Sequence, residues 1–181
     1  MIKVTLKDGS VREFKKGTPV ISIAKNISEG LARNVISAKF NHEIVETKLA
    51  LDKDGKLEFY TWDNDEGKKA FWHSSSHVMA QALQEIYPGI KLTIGPAIKN
   101  GFYYDVDLGE NKISESDFGK IENKMLEICR GKFDFNMRLV SKNEALNFYE
   151  NKKNNYKVEL IQELKDGEIS FCDHDTFTDL C

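Results

Sequence analysis

Residues 3–14, KVTLKDGSVREF, alternate apolar and polar side chains on both sides of a short polar segment. Alternation with period two is typical of a strand that buries one face, and the central Lys7-Asp8-Gly9-Ser10 is typical of a tight turn. The segment therefore predicts a β-hairpin near the start of the chain.

The residues that follow extend this hairpin into a small sheet with one helix. Thr18-Pro19 precedes apolar residues with helical spacing, and proline is well tolerated where a helix begins. Residues 35–40 and 56–62 predict two further strands, with a turn at 41–43. The order and spacing indicate a small ubiquitin-like β-roll over residues 1–62.

A polar segment at 63–67 predicts a boundary, because its carboxylates favour the start of a following helix. Residues 63–181 then form a larger α+β domain with an antiparallel sheet. Its expected elements are helices at 68–87, 116–130, 142–149 and 156–164, strands at 91–98, 101–107 and 133–140, and an extended segment at 171–180. Asn100-Gly101 predicts a hairpin between the first two of these strands.

Charge and composition exclude several classes of protein. The net charge of −3 argues against a nucleic-acid binder held mainly by phosphate contacts. The charge is uneven, since residues 1–62 carry eleven basic against eight acidic residues and residues 63–181 carry fifteen against twenty-one. No apolar run is long enough to span a membrane and no signal peptide is recognisable, so a cytoplasmic location is expected.

The three cysteines predict no disulfide framework, and reduced thiols are the simpler expectation. Cys129 lies in an amphipathic helical pattern and is expected in the core. Cys172 is expected in a strand.

Two histidines four residues apart, His73 and His77, lie in the helix predicted at 68–87. Side chains at this spacing share one face of a helix, so the two imidazoles can point at a common position as metal ligands or as an acid–base pair. The alternative is a chance pair of histidines on a solvated or half-buried face of the helix. A second group of polar residues, Thr178-Asp179-Leu180-Cys181, lies a hundred residues downstream and supplies a candidate partner segment.

Several separated motifs together resemble the threonyl-tRNA synthetases. The opening module with its turn at 7–10 resembles the TGS domain of that family, and the remainder resembles its second N-terminal domain. The motifs that carry this second resemblance are His73-Ser74 through His77, Ile94-Gly95-Pro96, Gly101 through Asp105, Tyr156-Lys157 and Thr178 through Cys181.

The resemblance implies that residues 63–181 are an editing domain, which hydrolyses serine wrongly attached to the threonine tRNA. It places Tyr104 and Asp105 in a wall of the pocket. It implies that His73 is a base or a water-positioning group, and that Lys157 is a cation that stabilises the transition state or the terminal adenosine. Asp179 either binds the α-ammonium group of the substrate or orients a histidine. The implied catalytic set is His73, His77, Lys157, Asp179 and Cys181.

The resemblance also implies partners and cofactors. The partner is the acceptor end of tRNA(Thr) with its seryl-adenosine terminus, and no membrane is involved. The complete enzyme would use ATP, magnesium and zinc and form a homodimer, whereas this chain is expected to need no cofactor, lacks the synthetic site and is compatible with a monomer. In the family the cysteine is followed by Arg-Gly-Pro and another histidine, so the editing domain is expected to be truncated here at its C-terminal end.

Two other functions remain open from the residues. His73, His77 and Cys181 supply three ligands of a tetrahedral zinc site, which suggests a free-standing zinc-dependent aminoacyl-tRNA deacylase. The second open function is that of a non-catalytic tRNA-docking module. Without the resemblance, Lys157 is expected to be an exposed helix lysine, and His42 and His174 are expected on the surface.

Overall fold

The structure is a computed structural model that describes all residues from Met1 to Cys181. It has the predicted α+β class, with helices and mainly antiparallel sheets. Its contacts divide the chain into two compact units, Met1–Trp72 and His73–Cys181. This division lies inside a helix, Asp65–Ile86, whereas the boundary predicted after residue 62 lies just before that helix. None of the helices combines the length and the apolar character needed to cross a membrane.

The first unit contains a five-stranded sheet, a separate pair of two-residue strands and two short helices. The strands β1 and β7 pair in parallel and the other neighbours are antiparallel, in the order β2-β1-β7-β4-β5. The elements are β1 (Ile2–Leu6), β2 (Val11–Phe14), β3 (Thr18–Pro19), α1 (Val20–Ile27), α2 (Glu29–Asn34), β4 (Ser37–Phe40), β5 (Glu43–Val45), β6 (Ala50–Leu51) and β7 (Gly55–Tyr60).

The predicted hairpin at the start of the chain is confirmed. Gly9 has φ +84°, a conformation that glycine adopts without steric cost, and it allows the tight connection between β1 and β2. Pro19 directly precedes α1 as predicted. The sequence pattern missed α2 because no residue of that helix is buried, so no apolar periodicity marks it. The core between α1 and the sheet comprises Ile2, Val4, Val20, Ile23, Ala38, Phe40, Leu51 and Leu57.

The second unit packs helices against small antiparallel sheets. Its largest sheet has the strand order β12-β13-β14. The elements are α3 (Asp65–Ile86, which begins in the first unit), β8 (Lys91–Leu92), β9 (Ala97–Ile98), β10 (Gly101–Phe102), β11 (Val106–Asp107), a 3-10 turn (Glu115–Asp117), α4 (Phe118–Gly131), β12 (Phe135–Leu139), α5 (Lys142–Asn151), α6 (Asn155–Glu163), β13 (Ser170–His174) and β14 (Phe177–Leu180).

Two predicted strands of the second unit are shorter than expected. The hairpin at Asn100-Gly101 is confirmed between β9 and β10. Each long run is nevertheless divided into two strands of two residues. In the first run the interruption lies at Gly95-Pro96, where proline disfavours the regular ladder. The extended segment expected at 171–180 is a second hairpin, which turns at Asp175 with φ +53°.

The burial predicted for two residues is wrong. Cys129 is exposed, because Ile121 and Ile128 define the buried face of α4 and Cys129 lies one residue beyond it, about 100° around the helix. His174 is buried instead of superficial: its Nδ1 lies 2.7 Å from Gln81 Oε1 and its ring stacks on Phe135 at 4.2 Å. Cys172 is buried in β13, where a strand residue was expected.

Candidate active site

The histidine face of α3 lies against alternate residues of β14 and its continuation. His77 Nδ1 is 3.0 Å from Asp179 Oδ2, and His73 Nε2 is 3.0 Å from Cys181 Sγ. Four residues along a helix advance ~6 Å, and two residues along a strand advance ~7 Å. The two repeats therefore match, and both histidines meet a partner on the strand.

Asp179 is the centre of a buried polar network. Its Oδ2 accepts from His77 and from the Tyr104 hydroxyl at 2.5 Å. Its Oδ1 lies 2.8 Å from Lys157 Nζ and accepts a hydrogen bond from the backbone N–H of Leu180 at 2.9 Å. A carboxylate has about four acceptor positions, so these four donors occupy all of them. Asp179 has no position left for a substrate ammonium group.

The network keeps Asp179 ionised. Burial alone would raise the pKa of its carboxyl, but the hydrogen bond from His77 and the charge of Lys157 outweigh burial and hold that pKa well below its ordinary value. Burial and the negative charge of Asp179 raise the pKa of Tyr104. The tyrosine hydroxyl therefore stays protonated and donates a hydrogen bond to the carboxylate. The network thus combines one buried anion with one buried cation.

His77 has a defined tautomer because Asp179 is ionised. Its Nδ1 donates a hydrogen bond to the carboxylate, so the second ring nitrogen, Nε2, is the one left for other chemistry. This Nε2 is buried and has no hydrogen-bond partner. His73 is exposed, and its ring meets that of His77 edge to face with centroids 4.8 Å apart. Solvent therefore reaches His73, and His77 offers a proton-accepting atom beside it.

Lys157 is buried although its local sequence is typical of an exposed helix residue. The lysine lies in the first turn of α6, which Asn154 caps by accepting from the Lys157 backbone N–H at 3.3 Å. The side-chain amide of Asn154 also donates to the Leu92 carbonyl at 2.8 Å. Asn154 therefore attaches the start of α6 to β8 and directs Lys157 towards Asp179.

Cys181 is half-buried and its backbone is fixed by Ser170. The Ser170 hydroxyl donates to the Cys181 carbonyl at 2.7 Å, and the Cys181 N–H donates to the Ser170 carbonyl at 2.9 Å. These bonds extend the β13–β14 ladder by one residue and orient the thiol towards His73. Sequence reasoning missed Ser170, because its contact partner lies eleven residues away in a neighbouring strand.

Three donor atoms converge in a way that fits a zinc ion. One ligand atom each from His73, His77 and Cys181 lies within 4.8 Å of the others. Zinc accepts imidazole and thiolate ligands, and catalytic sites use three protein ligands with one open position. Asp179 on the other nitrogen of His77 is the outer carboxylate that such ligands usually have. These residues would hold zinc, which would supply an activated water.

The structure brings together six of the seven residues proposed for the site. Asp105 is exposed, and its hydrogen bonds use its backbone N–H and carbonyl with Ile94 and Thr93. Tyr149, which sequence reasoning did not select, is buried close to Asp179, and both burial and that negative charge raise its pKa. No motif in the surrounding sequence marked this position.

The chain has two units, and residues 2–61, which lie in the first unit, match the model of the TGS domain family. The second unit carries the histidine, cysteine and lysine cluster. No single residue of this cluster is enough to assign the chain to a family.

Relatives with known names are similar to the chain along its whole length. It is 67% identical over 181 residues to the threonine–tRNA ligase of Flavobacterium johnsoniae and 61% identical over 181 residues to that of Flavobacterium psychrophilum. It is also 47% identical over 179 residues, 98% of the chain, to the threonine–tRNA ligase of Caldanaerobacter subterraneus. The first two alignments cover 100% of this chain, and the chain spans 28% of the length of each of the three relatives. The resemblance drawn from the motifs is confirmed: over its full length the chain is similar to part of a threonine–tRNA ligase.

Proposed function

We propose that this chain is the editing part of a threonine–tRNA ligase and hydrolyses serine esterified to tRNA(Thr). The observation that carries the proposal is the buried Nε2 of His77, which has no hydrogen-bond partner, while Asp179 holds the other nitrogen of the ring. An exposed imidazole, His73, lies beside it. This combination is suited to removing a proton from water.

Each residue of the cluster has a role in ester hydrolysis. A water must lose a proton as it attacks, and the developing oxyanion and the leaving 3′-oxygen must be stabilised. His73 positions or deprotonates the water, with His77 as the neighbouring proton acceptor. Asp179 orients His77, since its four acceptor positions are filled by protein donors. Lys157 supplies positive charge to the site.

The need for such a site follows from the size of the amino acids. Serine retains the hydroxyl of threonine and lacks only a methyl group, which is worth ~1–3 kcal/mol of discrimination. A second site that accepts the smaller product corrects this error. Cys181, at the solvent side beside His73, is positioned to line the pocket and exclude the methyl group of threonine.

The proposal extends to domains and partners. Residues 1–62 are the TGS domain, supported by the family match at 2–61, and residues 63–181 are the editing domain. The acceptor end of tRNA(Thr) is the partner, as the names of the relatives suggest. The whole ligase would use ATP, magnesium and zinc, work as a homodimer and act in the cytoplasm.

A single-turnover assay tests the hydrolysis. Release of serine from seryl-tRNA(Thr) is compared with release of threonine from threonyl-tRNA(Thr), with this chain as the catalyst. We expect selective serine release that His73→Ala abolishes. His42→Ala is the matched control, since His42 is exposed in the first unit. Hydrolysis unchanged by His73→Ala would refute the role of that residue, and tRNA binding without hydrolysis would indicate a docking module.

A second candidate, a zinc-dependent deacylase, is favoured by the convergence of His73, His77 and Cys181. Zinc content measured by elemental analysis distinguishes the two. About one zinc per chain, lost in Cys181→Ala, would support the metal-dependent enzyme. Serine release that persists in chelator by a zinc-free chain would support the metal-free reaction.

A further inference from the structure

The ring of Tyr104 lies directly against the backbone at Gly95. A β-carbon at position 95 would lie 2.1 Å from Tyr104 Cδ2 and 2.5 Å from Cε2, distances that no real side chain tolerates. Gly95 is not among the residues with positive φ, so an alanine there would meet no backbone strain of that kind. The position therefore needs glycine for space. Pro96 restricts the preceding residue to extended conformations and so limits how Gly95 can move away.

The position of this ring decides where the Tyr104 hydroxyl lies. That oxygen donates to Asp179 Oδ2 at 2.5 Å and accepts from Lys157 Nζ at 3.2 Å. The lysine ammonium also lies 5.7 Å from the centre of the tyrosine ring. Tyr104 thus touches both charged groups of the buried pair, which makes it a support of the network as well as part of a pocket wall.

We propose that Gly95 is a positioning residue for the hydrolytic site, because the space above its backbone admits the Tyr104 ring and so places the tyrosine hydroxyl between Lys157 and Asp179. The inference rests on the proposed hydrolysis of seryl-tRNA(Thr). Gly95 acts through Tyr104 and touches no reacting atom. A displaced tyrosine removes one of the four donors of Asp179, which then holds His77 less firmly.

The test is a double-mutant cycle on single-turnover serine release. Gly95→Ala is expected to lower the rate at saturating chain by roughly 10- to 100-fold, the scale of a misplacement near 1 Å. Tyr104→Phe, which keeps the ring and removes the hydroxyl, is expected to give a similar loss. The double variant should lose no more than either single variant, since both act through one hydroxyl. The concentration of chain at which the rate is half-maximal should change little.

Gly119→Ala is the matched control, because a β-carbon at this position of α4 would meet nothing within 4 Å. It should keep the full rate. Full activity of Gly95→Ala, or losses in the double variant that multiply, would overturn the inference. If Gly95→Ala does not fold, Tyr104→Phe decides alone, and an unchanged rate in that variant would overturn it.

A second readout separates this inference from the proposed function. The Nδ1–H proton of His77, observed by ¹⁵N-edited NMR, reports its hydrogen bond to Asp179 without any substrate. Gly95→Ala and Tyr104→Phe should both shift this resonance, and Gly119→Ala should not. If the wild-type chain releases no serine, the proposed function fails, whereas an unshifted resonance in Gly95→Ala contradicts the positioning role itself.

Discussion

Lys157→Met should strongly destabilise the second unit. Lys157 and Asp179 have side chains that are 3% and 2% exposed and atoms 2.8 Å apart. At that distance two unit charges attract by ~6 kcal/mol with an effective dielectric constant near 20. Much of this attraction offsets desolvation. Removing one partner leaves the other charge buried, which typically costs ~3–5 kcal/mol. We expect a loss of that size in the free energy of unfolding.

Urea unfolding of this chain, followed by a probe in the second unit, measures the loss. Lys165→Met is the control, because Lys165 is exposed and outside the network. The double variant Lys157→Met/Asp179→Asn should recover part of the loss, since it leaves no unpaired buried charge and keeps an acceptor oxygen for His77 and Tyr104. A loss below about 1 kcal/mol in Lys157→Met, the range of an exposed ion pair, would refute the argument that the pair is buried and mutually dependent.

Three further results are expected. Asn154→Ala should lower stability by about 1–3 kcal/mol in urea unfolding, because it removes a helix cap and leaves the buried Leu92 carbonyl without its donor, whereas the exposed neighbour Asn155→Ala should change it little. Burial lowers the pKa of His174, so the unfolded chain takes up its proton first and stability should fall as pH drops below ~6.5; His174→Gln should remove this step. The lowered pKa of Asp179 means that its contribution is complete above ~3.9 and is lost as pH falls further, so a second decrease in stability is expected there and should be absent in Asp179→Asn.

The elements that could be predicted from the sequence are those with a local signal. Residues 3–14 alternate around a glycine turn, and α3 shows apolar periodicity that ends at Pro88-Gly89. Both signals are visible within one segment of the sequence, and the structure contains both elements. The helix α2 lacks such a signal because it buries no side chain. Local pattern therefore predicts an element only where one face of that element is buried.

The environment of the site residues could not be predicted in the same way. Lys157 is buried because Asp179 and Tyr104 lie beside it, and these residues are remote in sequence. His174 can be buried because Gln81 on α3 accepts a hydrogen bond from its Nδ1 and Phe135 covers its ring. In both cases the compensation for burial comes from another element. The resemblance to a family pointed to Lys157, whereas nothing in the sequence pointed to His174.

The site depends on the match between one helix and one strand. Along α3 the residues His73, His77 and Gln81 are each one turn apart, and they meet Cys181, Asp179 and His174 respectively. His174 lies opposite Phe177 in the β13–β14 hairpin, so the three contacts advance along the hairpin in steps of two residues. A strand that continued one residue out of phase would point Leu180 at the helix and turn Asp179 and Cys181 to the other side. The Ser170 hydrogen bonds at the end of β14 oppose such a shift, because they fix the register at Cys181. The same few backbone bonds that close the sheet therefore also set the distances on which the proposed hydrolysis depends.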